Sequence, residues 1–263
     1  MHLIDTHCHL DVEEFAPDRT AVLAAARAKG VVAQIVPGIH AAGWEALVAL
    51  CTAEPDLFPA LGMHPVYLAQ HRQEHLSALA EAIERHRPVA VGEIGLDFYI
   101  DEPDREGQIA LFEAQLCIAR DFDLPVIVHV RKAHDQVLAS LRRIRVKGGT
   151  AHAFNGSLQQ AQHYIDLGFC LGFGGMLTYE RSRKIRSLAA QVPIESIVLE
   201  TDAPDMTTAA HHGERNSPAY LPEVCQTLAE VRDESIALIA RQTSCNACAL
   251  FGLPDRLLHA WEY

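Results

Sequence analysis

The sequence lacks any run long enough to cross a bilayer: nowhere do about 18 uncharged apolar residues follow one another. Its N-terminus has no basic stretch leading into an apolar segment with a small-residue cleavage site. The expectation is a soluble, cytoplasmic protein with no membrane contact and no obligate protein partner. Positive charge is scarce. The 22 Lys and Arg stand against 34 Asp and Glu, a net charge of −12, which argues against the broad basic face that non-specific duplex binding needs. A pocket for one strand end or a small phosphate ester stays open, because divalent ions bring their own positive charge. No Gly-rich phosphate loop follows the first apolar run, as an open doubly wound sheet would usually show. No Gly/Ser linker or composition break appears, so residues 1–263 read as one domain. Cys245 and Cys248 have no second Cys or His pair at zinc-finger spacing. The 7 cysteines are scattered and odd in number, and read as reduced thiols.

What is present is a core and a rhythm. Hydrophobic residues make up 49% of the chain, ample for a single large unit. Short apolar, β-branched runs recur at 2–6, 31–38, 57–64, 88–97, 124–130, 148–154, 169–175 and 196–202. They are nearly continuous rather than alternating, as strands buried on both faces require. Helix-like stretches separate them: 18–30 closing on Gly30, 73–87, 106–122 with an apolar stripe, and 157–167 with Ser157 as cap and Gly168 as stop. From Pro218 onward the sequence reads as helical throughout. Eight strand–helix units in one domain predict an α/β fold, a (β/α)8 TIM barrel.

In such a barrel the chemistry lies at the C-terminal ends of the strands, and ionisable residues gather there. The first run, "HLIDT", leads into His7 and His9, with Asp5 two residues before. An extended chain turns Asp5, His7 and His9 to one side. The third run ends in His64, the fourth carries Glu93 and Asp97, the fifth His129, the sixth His152, and the eighth Glu200 and Asp202. A lone strand-end histidine is usually structural. Six such ends in one barrel would bury imidazoles and carboxylates together, which is costly without a cation. The set suffices for two divalent ions sharing a carboxylate. Gly174 and Gly175 after the seventh run leave room.

The segments "DTHCHL", "GMHP", "GEIGLDFY", "HVRKA", "HAFNG", "ETDAP" and "RNSPAYL" occur in that order from residue 5 to residue 221, and "NACALFGL" lies near the C-terminus. Together they resemble the TatD family of metal-dependent hydrolases and deoxyribonucleases, which are TIM barrels of the metallo-dependent hydrolase type. Carried over by position, the resemblance implies that His7, His9, Glu93 and Asp202 hold one metal and that Glu93, His129 and His152 hold a second, with Glu93 bridging. It implies that His64 contacts substrate phosphate or assists the leaving group. Val130 stands where many members have Ser, Thr or Cys, and Ser217 where Glu is common.

The expected chemistry is hydrolysis of a DNA end or a small phosphoester by a water activated between two ions, with Asp202 as proton acceptor. Arg131 and Arg215 are candidates for neutralising phosphate charge, or else solvated loop residues. Asp5, Asp97 and Glu200 are candidates for holding ligand histidines in place. Phe98, Tyr99 and Phe154 could stack on a base or simply pack. The same centre would serve a deacylase or a small-molecule amidohydrolase. A non-catalytic barrel would be missing ligands, and none is missing. Nitrogen and oxygen donors suit zinc, manganese, magnesium or nickel.

Overall fold

The computed structural model describes residues 2–257. Eight parallel strands form one sheet in sequential order: β1 (Leu3–Asp5), β2 (Val31–Pro37), β3 (Leu57–Leu61), β4 (Ala90–Asp97), β5 (Val126–Arg131), β6 (Gly149–Ala151), β7 (Phe169–Phe173) and β8 (Ile197–Leu199). The barrel closes between the last strand and the first. Thr6 donates from both its N–H and its Oγ1 to the Leu199 carbonyl, each at 3.0 Å. The helices α1 (Arg19–Ala28), α2 (Trp44–Ala53), α3 (Gln73–His86), α4 (Arg105–Asp121), α5 (His134–Arg143), α6 (Leu158–Asp166), α7 (Arg183–Gln191), α8 (Leu221–Arg232) and α9 (Ile236–Phe251) follow the strands. This is the (β/α)8 barrel that the rhythm of apolar runs predicts.

Ser157 caps α6 in a reciprocal pair with Gln160, the arrangement that satisfies two otherwise orphaned N–H groups. The C-terminal region is not helical throughout. Asp233 adopts a left-handed conformation, φ 54°, and breaks it into α8 and α9. Asn246 of α9 donates to the carbonyls of Ile194 and Ile197, at 2.8 and 2.7 Å, and so fastens this helix beneath β8.

Two apolar groups make the core. The larger lies between the outward faces of the strands and the helices, with Leu3, Val126, Val128, Phe112 and Leu116 among its members. The smaller gathers Ile4, Ala33, Ile35, Ala60, Ile127 and Val198 with Phe251 and Leu253, and plugs the barrel at the strands' N-terminal ends. One register shift matters for function. Between Val91 and Ile94 the pairing of β4 with β5 slips. Ala90 belongs to the inner group, while Ile94 and Leu96 belong to the outer one. The slip therefore turns Glu93, Gly95 and Asp97 inward, on the side where β5 presents Ile127 and His129. Gly95 lies opposite His129 in the register, at φ +146°, and a Cβ there would fall on the His129 carbonyl. Only glycine lets the two strands meet at this point.

Candidate metal centre

Several predicted ligands lie just past their strands rather than in them. β1 ends at Asp5, β6 at Ala151 and β8 at Leu199. His7, His9, His152 and Asp202 are therefore placed by the turns beyond, and main-chain bonds fix those turns. Asp202 N–H donates to the His7 carbonyl at 2.8 Å, and His9 N–H to the Ala203 carbonyl at 2.8 Å. Asp202 itself sits at φ 58°, a left-handed conformation that Asp and Asn tolerate better than most residues.

Around Glu93 the side chains form two groups. Its Oε2 lies 3.3 Å from His7 Nε2 and 3.4 Å from His9 Nε2. Asp202 Oδ1 completes that group at 3.5 and 3.6 Å from the same two nitrogens. The other oxygen, Oε1, lies 3.0 Å from His129 Nδ1, 3.1 Å from His152 Nε2 and 3.3 Å from His64 Nε2. His7 Nε2 and His9 Nε2 face each other at 3.1 Å. Two ring nitrogens in that position repel unless a proton or a cation lies between them. A tetrahedral ion with bonds of about 2.1 Å needs donor atoms about 3.4 Å apart, and the observed separations match. The donor set fits a divalent cation.

Hydrogen bonds at the far side of each ring sort the histidines. His9 Nδ1 is 3.2 Å from the Pro37 carbonyl, so Nδ1 carries a proton and Nε2 is the nitrogen turned toward Glu93 and Asp202. His129 Nε2 donates to Asp97 Oδ2 at 3.0 Å, which frees its Nδ1 toward Glu93. His64 is the reverse case. Its Nδ1 accepts from Val66 N–H at 3.2 Å, so the neutral ring carries its proton on Nε2 and aims a donor into the site. Although Glu93, His64 and His129 are close enough to hold an ion, this tautomer makes His64 a hydrogen-bond donor rather than a ligand. Burial lowers the His64 pKa and keeps the ring neutral.

Charge in the cluster is strongly mutual. Burial opposes the ionisation of Glu93, but His64, His7 and His152 outweigh it and hold its carboxyl well below the usual range. Burial pushes Asp202 up to about 6, the nearby His152 and His9 pulling the other way. Burial and the neighbouring His152 hold His7 well below its usual value. His9 rises to about 9: burial works against its charge, and Glu93, Asp202 and Asp11 overcome it.

The predicted supporting carboxylates differ from one another. Asp97 binds the His129 ring and also pairs with Arg131 at 3.2 Å. Glu200 accepts from Ala153 N–H and lies 3.6 Å from His152 Nδ1, so it touches the main chain beside the ligand and stands off the ring. Asp5 does not bind the His7 ring. It accepts the His7 N–H at 3.2 Å, the Thr201 N–H at 3.0 Å and the Thr201 hydroxyl at 2.6 Å. Its work is to lock the turn after β1 to the turn after β8. Thr201 has no counterpart in the sequence reading; its signal is only that it lies between Glu200 and Asp202. Asn216 is similar, donating to the carbonyls of Thr201 and Asp205 at 2.7 and 2.6 Å.

Glu200 fits because β7 is small beneath it. A Cβ on Gly172 would collide with the Glu200 carboxylate. The Gly172→Ala variant should displace that carboxylate, costing about 1–3 kcal/mol of stability and lowering activity. Thermal melts and kcat on one preparation check it; an unchanged pair would mean Glu200 is free to move.

A cavity of 530 Å³ opens over the centre, lined among others by His9, His64, Glu93, His129, Arg131, Asn155 and Asp202, a size that suits a small ligand. Arg215 does not reach it. Its guanidinium pairs with Asp18 at 2.6 and 3.0 Å, bonds the Glu14 carbonyl and packs over Phe15. The geometry gives no support to the expectation that it neutralises phosphate: Asp18 and the Glu14 carbonyl hold its guanidinium off the cavity, which Arg131 by contrast lines. Arg215→Ala should lower the melting temperature slightly and leave KM unchanged; a large rise in KM would restore Arg215 to the substrate site. Ser217 caps the 3-10 turn Pro218–Tyr220 by accepting from Ala219 N–H, and Val130 is buried along the cavity wall. Phe98 and Phe154 are buried, whereas Tyr99 is 56% exposed. All seven cysteines are unpaired. Among the described residues no helix is long and apolar enough to cross a membrane.

A (β/α)8 barrel with histidines and carboxylates converging at its strand ends defines a metal-dependent hydrolase. The family described as TatD related DNase matches residues 4–252, and the chain belongs to that family. It is 41% identical over 254 residues to an uncharacterized metal-dependent hydrolase, YjjV, of Escherichia coli K12, covering 95% of this chain and 98% of that protein. The crystal structure of that TatD homologue superposes with a TM-score of 0.92, covering 96% of this chain and 98% of the other. A 3′-5′ ssDNA/RNA exonuclease, TatD, of Erwinia tasmaniensis is 32% identical over 260 residues, covering 95% of this chain and all of that protein, 100%.

Proposed function

We infer that this hydrolase is a phosphodiesterase that removes nucleotides from the end of a single strand and that it works with two divalent ions. The observation that carries the reading is the division of the Glu93 carboxylate, with Oε2 toward His7 and His9 and Oε1 toward His129 and His152. The similarity to a protein named as a 3′-5′ ssDNA/RNA exonuclease supports the substrate class.

His7, His9, Glu93 and Asp202 would hold one ion, and Glu93, His129 and His152 the other. Such ions supply positive charge to the scissile phosphate and bring the pKa of a water down toward about 7. The chain's own groups do the rest. Asp202, on the cavity wall with its side chain 16% exposed, takes the proton as the water oxygen bonds to phosphorus. It passes that proton to the oxygen that leaves as the P–O bond breaks. His64 donates its Nε2–H to a non-bridging phosphate oxygen. It does not serve as an acid, because a neutral imidazole has no proton to give up at working pH. Arg131, anchored by Asp97, faces the same phosphate as a counter-charge. Asp97 thus fixes a ligand histidine and a phosphate-binding arginine with one carboxylate.

The test is a substrate panel run on the metal-loaded protein. It compares 3′-end-labelled single-stranded DNA, bis-p-nitrophenyl phosphate and a p-nitrophenyl ester. The reading expects nucleotide release from the DNA and phosphodiester cleavage. Ester cleavage with no phosphodiester cleavage would move the protein to the deacylase class, which the same ligands would serve.

A further inference from the structure

The loops at the mouth of the barrel divide sharply by charge. Those after β1, β4 and β8 are acidic: residues 6–18 carry Asp11, Glu13, Glu14 and Asp18, and residues 98–104 carry Asp101, Glu102 and Asp104, neither with a Lys or Arg. Residues 200–220 carry Glu200, Asp202, Asp205 and Glu214, and their one cation, Arg215, is spent on Asp18. The end of β5 and the loops after β5, β6 and β7, with the first two residues of α5 and of α7, carry Arg131, Lys132, Arg181, Arg183 and Lys184 against Asp135 and Glu180. Among these mouth loops, in a chain of net charge −12, this sector alone carries more cations than carboxylates, and its Arg131 lines the cavity.

Four of these cations have no carboxylate partner. Arg131 pairs with the buried Asp97, but among the described residues no carboxylate lies within ion-pair distance of Lys132, Arg181, Arg183 or Lys184. All are exposed. Arg131 itself lines the cavity, and the others follow β5 and β7 at the same end of the barrel. Arg131 and Lys132 each lie 4.4 Å from the ring centre of the exposed Tyr99. Lys184 Nζ bonds the carbonyl of Asn155, a residue of the cavity wall. Arg181 lies over Tyr179. Unneutralised cations at a cavity rim, interleaved with aromatic rings and facing acidic loops across the opening, fix a direction for a polyanion. It is drawn over one sector and repelled from the others.

We propose that a single-stranded polynucleotide with its end in the cavity leaves the barrel over the β5–β7 sector, its backbone tracked by Lys132, Arg181, Arg183 and Lys184. This rests on the nuclease reading above and adds the strand's path. Long, rigid duplexes gain nothing from so short an arc, whereas a flexible single strand follows it.

The experiment compares the metal-loaded wild type with a track variant, Lys132→Gln/Arg181→Gln/Arg183→Gln. A remote variant with the same change in charge, Lys29→Gln/Arg142→Gln/Arg145→Gln, is the control. Each is assayed on short DNA and RNA single strands and on bis-p-nitrophenyl phosphate across a salt series. The track variant should lose at least about fivefold in kcat/KM on the single strands relative to the small diester. The slope of log KM against log salt should fall by about 0.7 for each cation removed. The remote variant should match the wild type. An unchanged ratio and slope in the track variant, with the wild type still cutting single strands, overturns the path and leaves the nuclease reading standing. An equal loss in the remote variant also overturns it, since net charge alone would then be the cause. No cleavage of either single strand by the wild type removes the nuclease reading and the path together.

Discussion

Replacing Asp202 by asparagine should lower kcat on single-stranded DNA between about 10²-fold and 10⁴-fold, the range expected when a positioned base is lost. The substitution is informative because the backbone accepts it. Asp202 sits at φ 58°, a conformation asparagine also tolerates, and its N–H bond to the His7 carbonyl does not involve the side chain. Asparagine also keeps an oxygen near the position of Oδ1, 3.5 Å from His7 Nε2. What disappears is the negative charge and the capacity to take a proton. Single-turnover rates at saturating metal, with circular dichroism to confirm the fold, check the result. A variant that retains wild-type kcat would mean that another group accepts the proton.

The second large effect is expected at Glu93. Its side chain is 3% exposed, and it faces His7, His9, His64, His129 and His152 at 3.0–3.4 Å. Glu93→Gln removes the central charge that faces all five imidazoles, and breaking a buried charge pair costs about 3–5 kcal/mol. It also turns one of the two oxygens into an amide NH2, so one group loses its oxygen and the other keeps only an uncharged one. Activity should fall to background and bound metal should drop at both sites. Chelation should destabilise the wild type by about 4 kcal/mol if free metal had stood at 1,000 times Kd, and should leave the Glu93→Gln variant unmoved. Chelator-insensitive melting of the wild type would count against any stabilising ion at this site.

Much of this was legible in the residues. Strands buried on both faces write themselves as continuous apolar runs, so the barrel and the order of its strands could be read directly. The polar residues at the run ends marked which end of the barrel holds the chemistry. The local geometry was harder. Alternation along an extended chain predicts that Asp5 and His7 share a side and interact. The strand stops at Asp5, and Asp5 meets the main-chain N–H of His7 rather than its ring while also binding Thr201, a residue 196 positions away. The slip in β4 that aims Glu93 inward leaves no trace in an apolar pattern, because the residues on either side of it are apolar too. Arg215 shows the same limit for charge. From sequence it is a cation on the loop after the last strand, and only the fold brings Asp18 beside it.

Whether Glu93 belongs to two sites at once is tested most directly by the metal content of the purified, metal-saturated protein. Elemental analysis should find two divalent ions per chain. One ion per chain, or none under any loading condition, would contradict the shared carboxylate and the mechanism built on it.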